Sequence, residues 1–68
     1  MNQRDRILEA LREGPKTNRW FADNVCLRYS ARISELRHDE GYIIDKRPVP
    51  HKNGLYIYEL KGRNLVNQ

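Results

Sequence analysis

The chain has little of several features on which exported or membrane proteins depend. Its 68 residues include one cysteine, so no internal disulfide can form and nothing indicates an oxidising compartment. No stretch approaches the roughly 20 apolar residues that a membrane span requires, and the N-terminus has no apolar signal core. We therefore expect a soluble, cytoplasmic protein that has no contact with a membrane.

The residue patterns that build enzyme sites are also missing. A chain of this length buries only about 60% of its unfolded surface, which leaves little room for a deep pocket. Cys26, His38 and His51 are separated by eleven and twelve intervening residues, a spacing that zinc sites do not use. There is no glycine-rich phosphate loop, and the carboxylates are scattered among basic residues. We expect no catalysis, no metal, no cofactor and no small-molecule effector.

The sequence does carry an uneven surplus of positive charge. The net charge is +4, and residues 1–27 have five basic and four acidic side chains, whereas residues 28–68 have eight and five. Such an excess favours an anionic partner such as nucleic acid. Solubility alone is the competing explanation for a charge of this size.

Two helices are predicted in the first 24 residues. The apolar periodicity places helix 1 from Gln3 to Glu13, capped by Asn2 and ended by Gly14-Pro15. A short second helix is expected from Arg19 to Asp23, capped by Thr17 or Asn18 after an extended pair, Lys16 and Thr17. Its aromatic residues, Trp20 and Phe21, suit core packing better than an exposed stacking platform.

The third predicted helix has a basic side. It runs from Cys26 or Leu27 to Asp39, and Gly41 stops it. Apolar residues at spacings of four and three form the buried stripe, which consists of Tyr29, Ile33 and Leu36. The residues opposite this stripe are Leu27, Ser30, Ala31, Ser34 and His38, with Arg28 and Arg32 on one flank and Arg37 on the other.

A β-hairpin is predicted after the third helix. Alternating apolar residues indicate strands over Tyr42–Arg47 and Leu55–Leu60, and Asn53-Gly54 is a strong turn signal between them. The hairpin therefore has a basic, proline-stiffened tip. We expect one domain over residues 1–61 and a polar, frayed tail over residues 62–68, in which Leu65 and Val66 are apolar.

Three segments together resemble a known family. They are Ala31-Arg32-Ile33-Ser34-Glu35-Leu36-Arg37, Gly41-Tyr42-Ile43-Ile44 and Tyr58-Glu59-Leu60. The chain resembles, over residues 6–60, the small winged helix-turn-helix domains of bacteriophages and bacteria. The resemblance implies an α+β fold of three helices followed by a two-stranded antiparallel hairpin, the wing, and it implies binding to double-stranded DNA with helix 3 in the major groove.

The resemblance also implies three groups of DNA-binding residues. On helix 3 they are Arg28, Ser30, Ala31, Arg32, Ser34 and Arg37. On the wing they are Lys46, Arg47, His51, Lys52 and Asn53, and at the start of helix 2 they are Lys16, Thr17 and Arg19. Arg28 and Arg32 are the candidates for guanine contacts, although Arg32 has the alternative of pairing with Glu35 or Asp39, and Arg37 suits a phosphate or a surface ion pair.

Three functions remain open at the level of sequence. The first is a small phage or bacterial transcription regulator that binds DNA with sequence preference. The second is an excisionase-like architectural factor, for which an integrase would be a natural partner. The third, from a different class, is a winged-helix module that grips an acidic protein and does not bind DNA. Because one such domain covers little DNA, useful affinity should need a homodimer or cooperative assembly.

Overall fold

Three helices and three strands make up residues 2–64, the part of the chain that the computed structural model describes. The fold is α+β, as predicted. The elements in chain order are α1 (Gln3–Glu13), β1 (Lys16–Thr17), α2 (Asn18–Asn24), α3 (Tyr29–His38), β2 (Tyr42–Pro48) and β3 (Tyr56–Arg63). None of the helices within these residues has the length and apolar character needed to cross a bilayer.

The first two helices begin at side-chain caps that the sequence indicates. Asn2 Oδ1 accepts a hydrogen bond from the Asp5 amide at 2.8 Å, and α1 covers the predicted residues. Thr17 Oγ1 accepts from the Trp20 amide at 3.0 Å, and α2 is one residue longer at each end than predicted. Each cap satisfies one of the amides that a first helical turn leaves unpaired.

The third helix begins later than the predicted Cys26 or Leu27. The amides of Val25 and Cys26 both donate to Phe21 O, at 2.9 and 3.1 Å, so this segment closes the end of α2 instead of starting a new helix. Arg28 is the N-cap, and no side chain caps the helix there. At the other end, Asp39 is the C-cap, one residue outside the helix. The shortened α3 therefore puts Arg28 at its very start.

The sheet has three strands, and the prediction of a two-stranded hairpin was wrong on this point. The strand order is β1-β3-β2, and both pairings are antiparallel. Lys16 pairs with Tyr58 and Thr17 with Ile57. The sequence indicated that Lys16 and Thr17 are extended, but their partners lie 42 and 40 positions away, beyond the reach of any local pattern.

The hairpin strands run further than predicted. β2 includes Pro48, and β3 begins at Tyr56, one residue later than predicted, and continues to Arg63. The expected end of the domain at residue 61 therefore falls inside a strand. The register shifts between Ile43 and Ile44, which pair with Gly62 and Leu60, so that Lys61 is the extra residue of a β-bulge. The tail expected to fray comprised residues 62–68, and this was wrong for residues 62 and 63, which belong to β3. Residues 65–68, including Leu65 and Val66, lie outside the described residues.

One hydrophobic core joins the helices to the sheet. Ile7, Phe21, Ile33 and Leu36 are its fully buried large side chains. Phe21 stacks on Tyr29, with ring centroids 6.2 Å apart, and meets Tyr58 edge to face at 5.9 Å. Trp20 packs against this core but stays partly exposed. The predicted buried stripe of α3 is confirmed for Ile33 and Leu36, and Tyr29 is partly buried beside them.

Gly41 holds a tight approach between the two ends of the hairpin. Its φ is +76°, and its carbonyl accepts from the Asn64 amide at 2.7 Å. A Cβ at this position would lie 3.0 Å from Asn64 O, a backbone atom. Gly54 has nearly the same φ, +77°, but a Cβ there would meet nothing within 4 Å. Comparison of the two positions therefore separates the effect of a positive φ, which both share, from the effect of a close contact, which only Gly41 has.

We expect Gly41→Ala to destabilise the fold more than Gly54→Ala. The left-handed conformation alone should cost about 1 kcal/mol in each variant, and the contact with Asn64 O should raise the loss for Gly41→Ala to about 2 kcal/mol or more. Urea unfolding followed by circular dichroism measures both values. Equal losses would show that the close approach to Asn64 contributes nothing.

Candidate functional site

The outer face of α3, formed by Arg28, Ser30, Ala31, Ser34 and His38, points away from the core. All of these side chains are exposed except that of Ala31, which is partly exposed. Within residues 2–64, the side chains of Arg28, Ser30 and Ser34 form no hydrogen bond or ion pair. The first turn of α3 contains no acidic residue. This face therefore offers one cation and two hydroxyl groups that nothing in the described chain occupies.

Leu27 is the most exposed large apolar side chain of the described residues, at 82%. It lies directly before Arg28, where the chain approaches α3. The sequence places it opposite the buried stripe of that helix, and its exposure agrees with that placement. An apolar side chain next to a free arginine adds contact area to the same surface.

Arg32 is held by the protein and does not extend freely from α3. Its Nη2 lies 3.0 Å from Glu35 Oε2, and its side chain is only 29% exposed. Its Nε is buried and has no hydrogen-bond partner within residues 2–64. Glu35 also contacts Arg4 of α1, at 3.7 Å, and Arg4 contacts Glu40 at 3.0 Å. The sequence offered Arg32 two carboxylates as ion-pair partners, Glu35 and Asp39, and Glu35 is the one that it contacts.

Arg37 forms part of the fold. Its Nε and Nη2 donate to Ile44 O, at 3.2 and 2.7 Å, and the side chain is half-buried between α3 and β2. A guanidinium that makes two bonds to one backbone carbonyl is fixed in place. The prediction of a phosphate contact or a surface ion pair for Arg37 did not anticipate this bond to the strand.

Lys46 and Arg47 lie on β2, below the hairpin tip and on opposite faces of the sheet. Lys46 pairs with Tyr58, and its Nζ lies 4.5 Å from the ring centroid of Tyr56 and 6.0 Å from that of Tyr58. Burial raises the pKa of the Tyr58 phenol above its ordinary value. Arg47 Nη1 lies 2.7 Å from Asp45 and 3.0 Å from Glu59. Both cations thus have partners within the protein.

Glu59 lies between two basic side chains on the outer side of the sheet. Hydrogen bonds from Arg47, and then from Lys61 at 3.2 Å, lower the pKa of its carboxyl group. The same pairing with Glu59, and then with Asp45, raises the pKa of Arg47. Two positive and two negative charges balance within this cluster, so it adds no net positive charge to the hairpin.

Two consecutive turns form the hairpin loop, residues 49–55. In the first, the Lys52 amide donates to Val49 O at 3.2 Å, with Pro50 second and His51 third in the turn. In the second, the Leu55 amide donates to Lys52 O at 3.4 Å, with Asn53-Gly54 in the middle. The third residue of each turn has a positive φ, +65° at His51 and +77° at Gly54, whereas the φ of Asn53 is not positive. A positive φ at the third residue alone is the pattern of a type II turn.

An asparagine of α2 fastens this loop to the helices. Asn18 Nδ2 donates to Gly54 O at 3.0 Å, and Asn18 Oδ1 accepts from the Tyr56 amide at 2.9 Å. Beside this anchor lies an open groove of about 490 Å³. It is lined by Asn18, Arg19, His51, Lys52, Asn53, Gly54 and Leu55. The fold therefore brings Arg19 of the predicted helix 2 group together with three predicted wing residues.

The other two residues predicted at the start of α2 have partners inside the protein. The Thr17 hydroxyl caps the Trp20 amide, which is one of the amides that a phosphate would need. Lys16 Nζ lies 5.5 Å from the centroid of the Trp20 ring. Arg19 is 81% exposed and meets Asp23 only at 4.0 Å.

The roles of Arg4 and Asn18 were not identified from the sequence. No local signal in the sequence indicates that Arg4 of α1 pairs with Glu35 of α3 and with Glu40. Asn18 appeared only as a possible cap, although an asparagine beside a strand can satisfy two backbone groups at once. No three His, Cys, Asp or Glu side chains of residues 2–64 are placed to hold a metal ion.

Comparison of the chain with family models, with curated proteins and with solved structures yields no match.

The ion pairs of Glu59 predict a specific response to acid. A carboxyl group with a lowered pKa in the folded state stabilises the fold above its unfolded pKa, and that contribution is lost as the pH falls through the folded pKa. We expect Arg47→Met to reduce stability at neutral pH and to lose less stability than the parent protein between about pH 5 and pH 3. Urea midpoints across this range measure the difference.

Arg12→Met is the matched control, because Arg12 is exposed and makes no ion pair within residues 2–64. Its difference from the parent protein should not change over the same pH range. Parallel pH profiles for Arg47→Met and the parent protein would contradict the role given to Glu59.

Proposed function

We propose that this protein is a winged helix-turn-helix domain that binds double-stranded DNA with sequence preference, as a small transcription regulator of the phage or bacterial type. One observation carries the proposal. α3 fully buries Ile33 and Leu36 and turns Arg28, Ser30 and Ser34 to solvent with no partner in the described chain. In helix-turn-helix proteins, the residues at the start of the recognition helix contact base edges.

The order of the elements supports this proposal. A short α2, a tight connection and α3 are followed by a hairpin whose loop is anchored to the start of α2. The additional strand β1 pairs with β3, so β2 remains at the edge of the sheet. A third strand is therefore compatible with a wing, although it is not part of the predicted two-stranded form.

Of the two arginines expected to contact guanine, Arg28 is the better candidate in this structure. Arg28 is free and lies at the start of α3, whereas Arg32 would have to leave Glu35 before it reached a base. Arg28 therefore takes the role of a bidentate donor to guanine O6 and N7, with Ser30 and Ser34 as shorter donors along the groove. Lys52 would contact the phosphate backbone of the DNA.

Binding of duplex DNA at several salt concentrations tests the proposal. If four to six phosphates are contacted, the logarithm of affinity should fall with the logarithm of salt concentration at a slope of roughly −4 to −5. Fluorescence anisotropy with a labelled duplex measures the slope. A flat response at micromolar or weaker affinity would exclude DNA as the partner.

A flat response would favour the acidic-protein alternative. The exposure of Leu27 beside Arg28 is the observation that supports it, because apolar contacts together with a charged rim are typical of protein interfaces. Between the two DNA roles, tandem direct repeats and bending of the bound duplex would indicate an excisionase-like factor. A palindromic site in a promoter would indicate a regulator.

Arg28→Ala should selectively weaken binding to the preferred sequence. We expect a loss of about 1 to 3 kcal/mol and relaxed preference at one base pair, because a bidentate contact to guanine would be removed. Selection from a randomised duplex pool identifies the preferred sequence, and titration of that duplex measures the loss.

Arg12→Ala serves again as the control, since it removes the same charge from an exposed position at the end of α1. It should leave the sequence preference unchanged. If Arg32→Ala relaxed the preference and Arg28→Ala did not, base recognition would belong to Arg32 despite its ion pair.

A further inference from the structure

We infer that Arg19, His51 and Lys52 form a single phosphate site in the groove between α2 and the hairpin loop, and that protonation of His51 controls its hold on a DNA phosphodiester. The inference rests on the proposed function, because it names the ligand and the regulation of one part of the same surface. It replaces two separate predictions, one for the wing and one for the start of helix 2, with one site.

The charges around the groove all have the same sign. Of the residues that line it, Arg19, His51 and Lys52 are the ones that can carry a charge, and no carboxylate is among them. Arg19 meets Asp23 at 4.0 Å, in an exposed pair. Lys52 forms no ion pair within residues 2–64. A phosphodiester can therefore accept hydrogen bonds here without displacing a strong internal partner.

The groove is held in shape before any ligand arrives. Three backbone hydrogen bonds stabilise the hairpin loop, and the two bonds of Asn18 fix it against α2. Because these five bonds fix the backbone on both sides, the cations need to order only their side chains when a phosphate binds. Preorganisation of this kind favours binding.

His51 occupies a position that suits glycine better than histidine. Its φ of +65° makes it the one residue other than glycine with a positive φ among residues 2–64. It is exposed, and its ring makes no hydrogen bond or ion pair within those residues. The imidazole therefore adds no hydrogen bond or ion pair to the loop, although its residue has a strained backbone conformation. Strain at an exposed, unpartnered side chain points to a contact outside the protein.

Histidine is also the side chain whose charge changes between about pH 5 and pH 8. Arg19 and Lys52 line the same groove as His51. Protonation of His51 would raise the positive charge of the site from two to three. Binding that depends on this site should therefore tighten as the pH falls.

The test measures the affinity for a random-sequence duplex at about pH 5.5 and about pH 7.5, at constant ionic strength. The parent protein should bind about 3- to 10-fold more tightly at the lower pH, because it gains about one phosphate contact. His51→Asn tolerates the left-handed backbone but does not titrate, and it should show no such gain. Arg12→Ala, which removes a charge outside the proposed site, should keep the gain in full.

His51→Gly separates binding from folding. Glycine relieves the strained turn, so the thermal midpoint should rise by about 4 to 8 °C while the affinity at the lower pH falls about 3- to 10-fold. A variant that folds better and binds worse excludes damage to the fold as the cause of weaker binding.

Two outcomes overturn the inference alone. If His51→Asn keeps the pH dependence, the proton acts elsewhere. If His51→Gly binds as tightly as the parent protein at the lower pH, the ring contacts no phosphate. In those cases salt-dependent DNA binding by the parent protein would leave the proposed function standing, whereas absence of any duplex binding would remove both.

Discussion

The burial of Phe21 is the constraint on which the rest of the molecule depends. Its ring contacts Trp20, Tyr29 and Tyr58, so one side chain joins α2, the start of α3 and the central strand β3. Aromatic contacts of this kind favour particular ring orientations in addition to burying area. Because Tyr29 is fixed at the start of α3, Arg28 and Ser30 beside it are directed to solvent. The orientation of the candidate recognition surface is therefore a consequence of core packing.

The distribution of positive charge depends on a second constraint, because several arginine side chains bond one element of the fold to another. Arg4 and Arg32 join α1 and α3 through Glu35, and Arg37 joins α3 to the carbonyl of Ile44. Exposed ion pairs contribute little stability each, but a guanidinium bonded to a buried backbone group is held firmly. Within residues 2–64, the arginine and lysine side chains that keep no internal partner are those of Arg12, Arg28 and Lys52, so net charge alone overstates the available surface.

The parts of this structure that were predictable are those that local physics determines. The bounds of α1, the caps at Asn2 and Thr17, the buried stripe of α3 and the turn at Asn53-Gly54 all follow from periodicity and from side chains that satisfy nearby amides. What could not be predicted depends on residues far apart in the chain. The pairing of β1 with β3 and the meeting of Arg19 with the hairpin loop are of that kind. The bond from Arg37 to Ile44 spans only seven positions, but it depends on how β2 folds back beside α3. The candidate site was named residue by residue, but its division into free and occupied side chains required the fold.

The free edge of β2 shows how one contact can serve two needs. β2 lies at the end of the sheet order and has β3 on one side alone, so its outer carbonyls and amides are open to pairing with another chain. Arg37 occupies the carbonyl of Ile44 at this edge, and the β-bulge at Lys61 disturbs the regular register of the same hairpin. An arginine that blocks the edge also ties the last turn of α3 to the sheet. The same bond thus limits unwanted strand pairing and fixes the angle at which the outer face of α3 is presented, which is why a guanidinium is better used there than on a ligand.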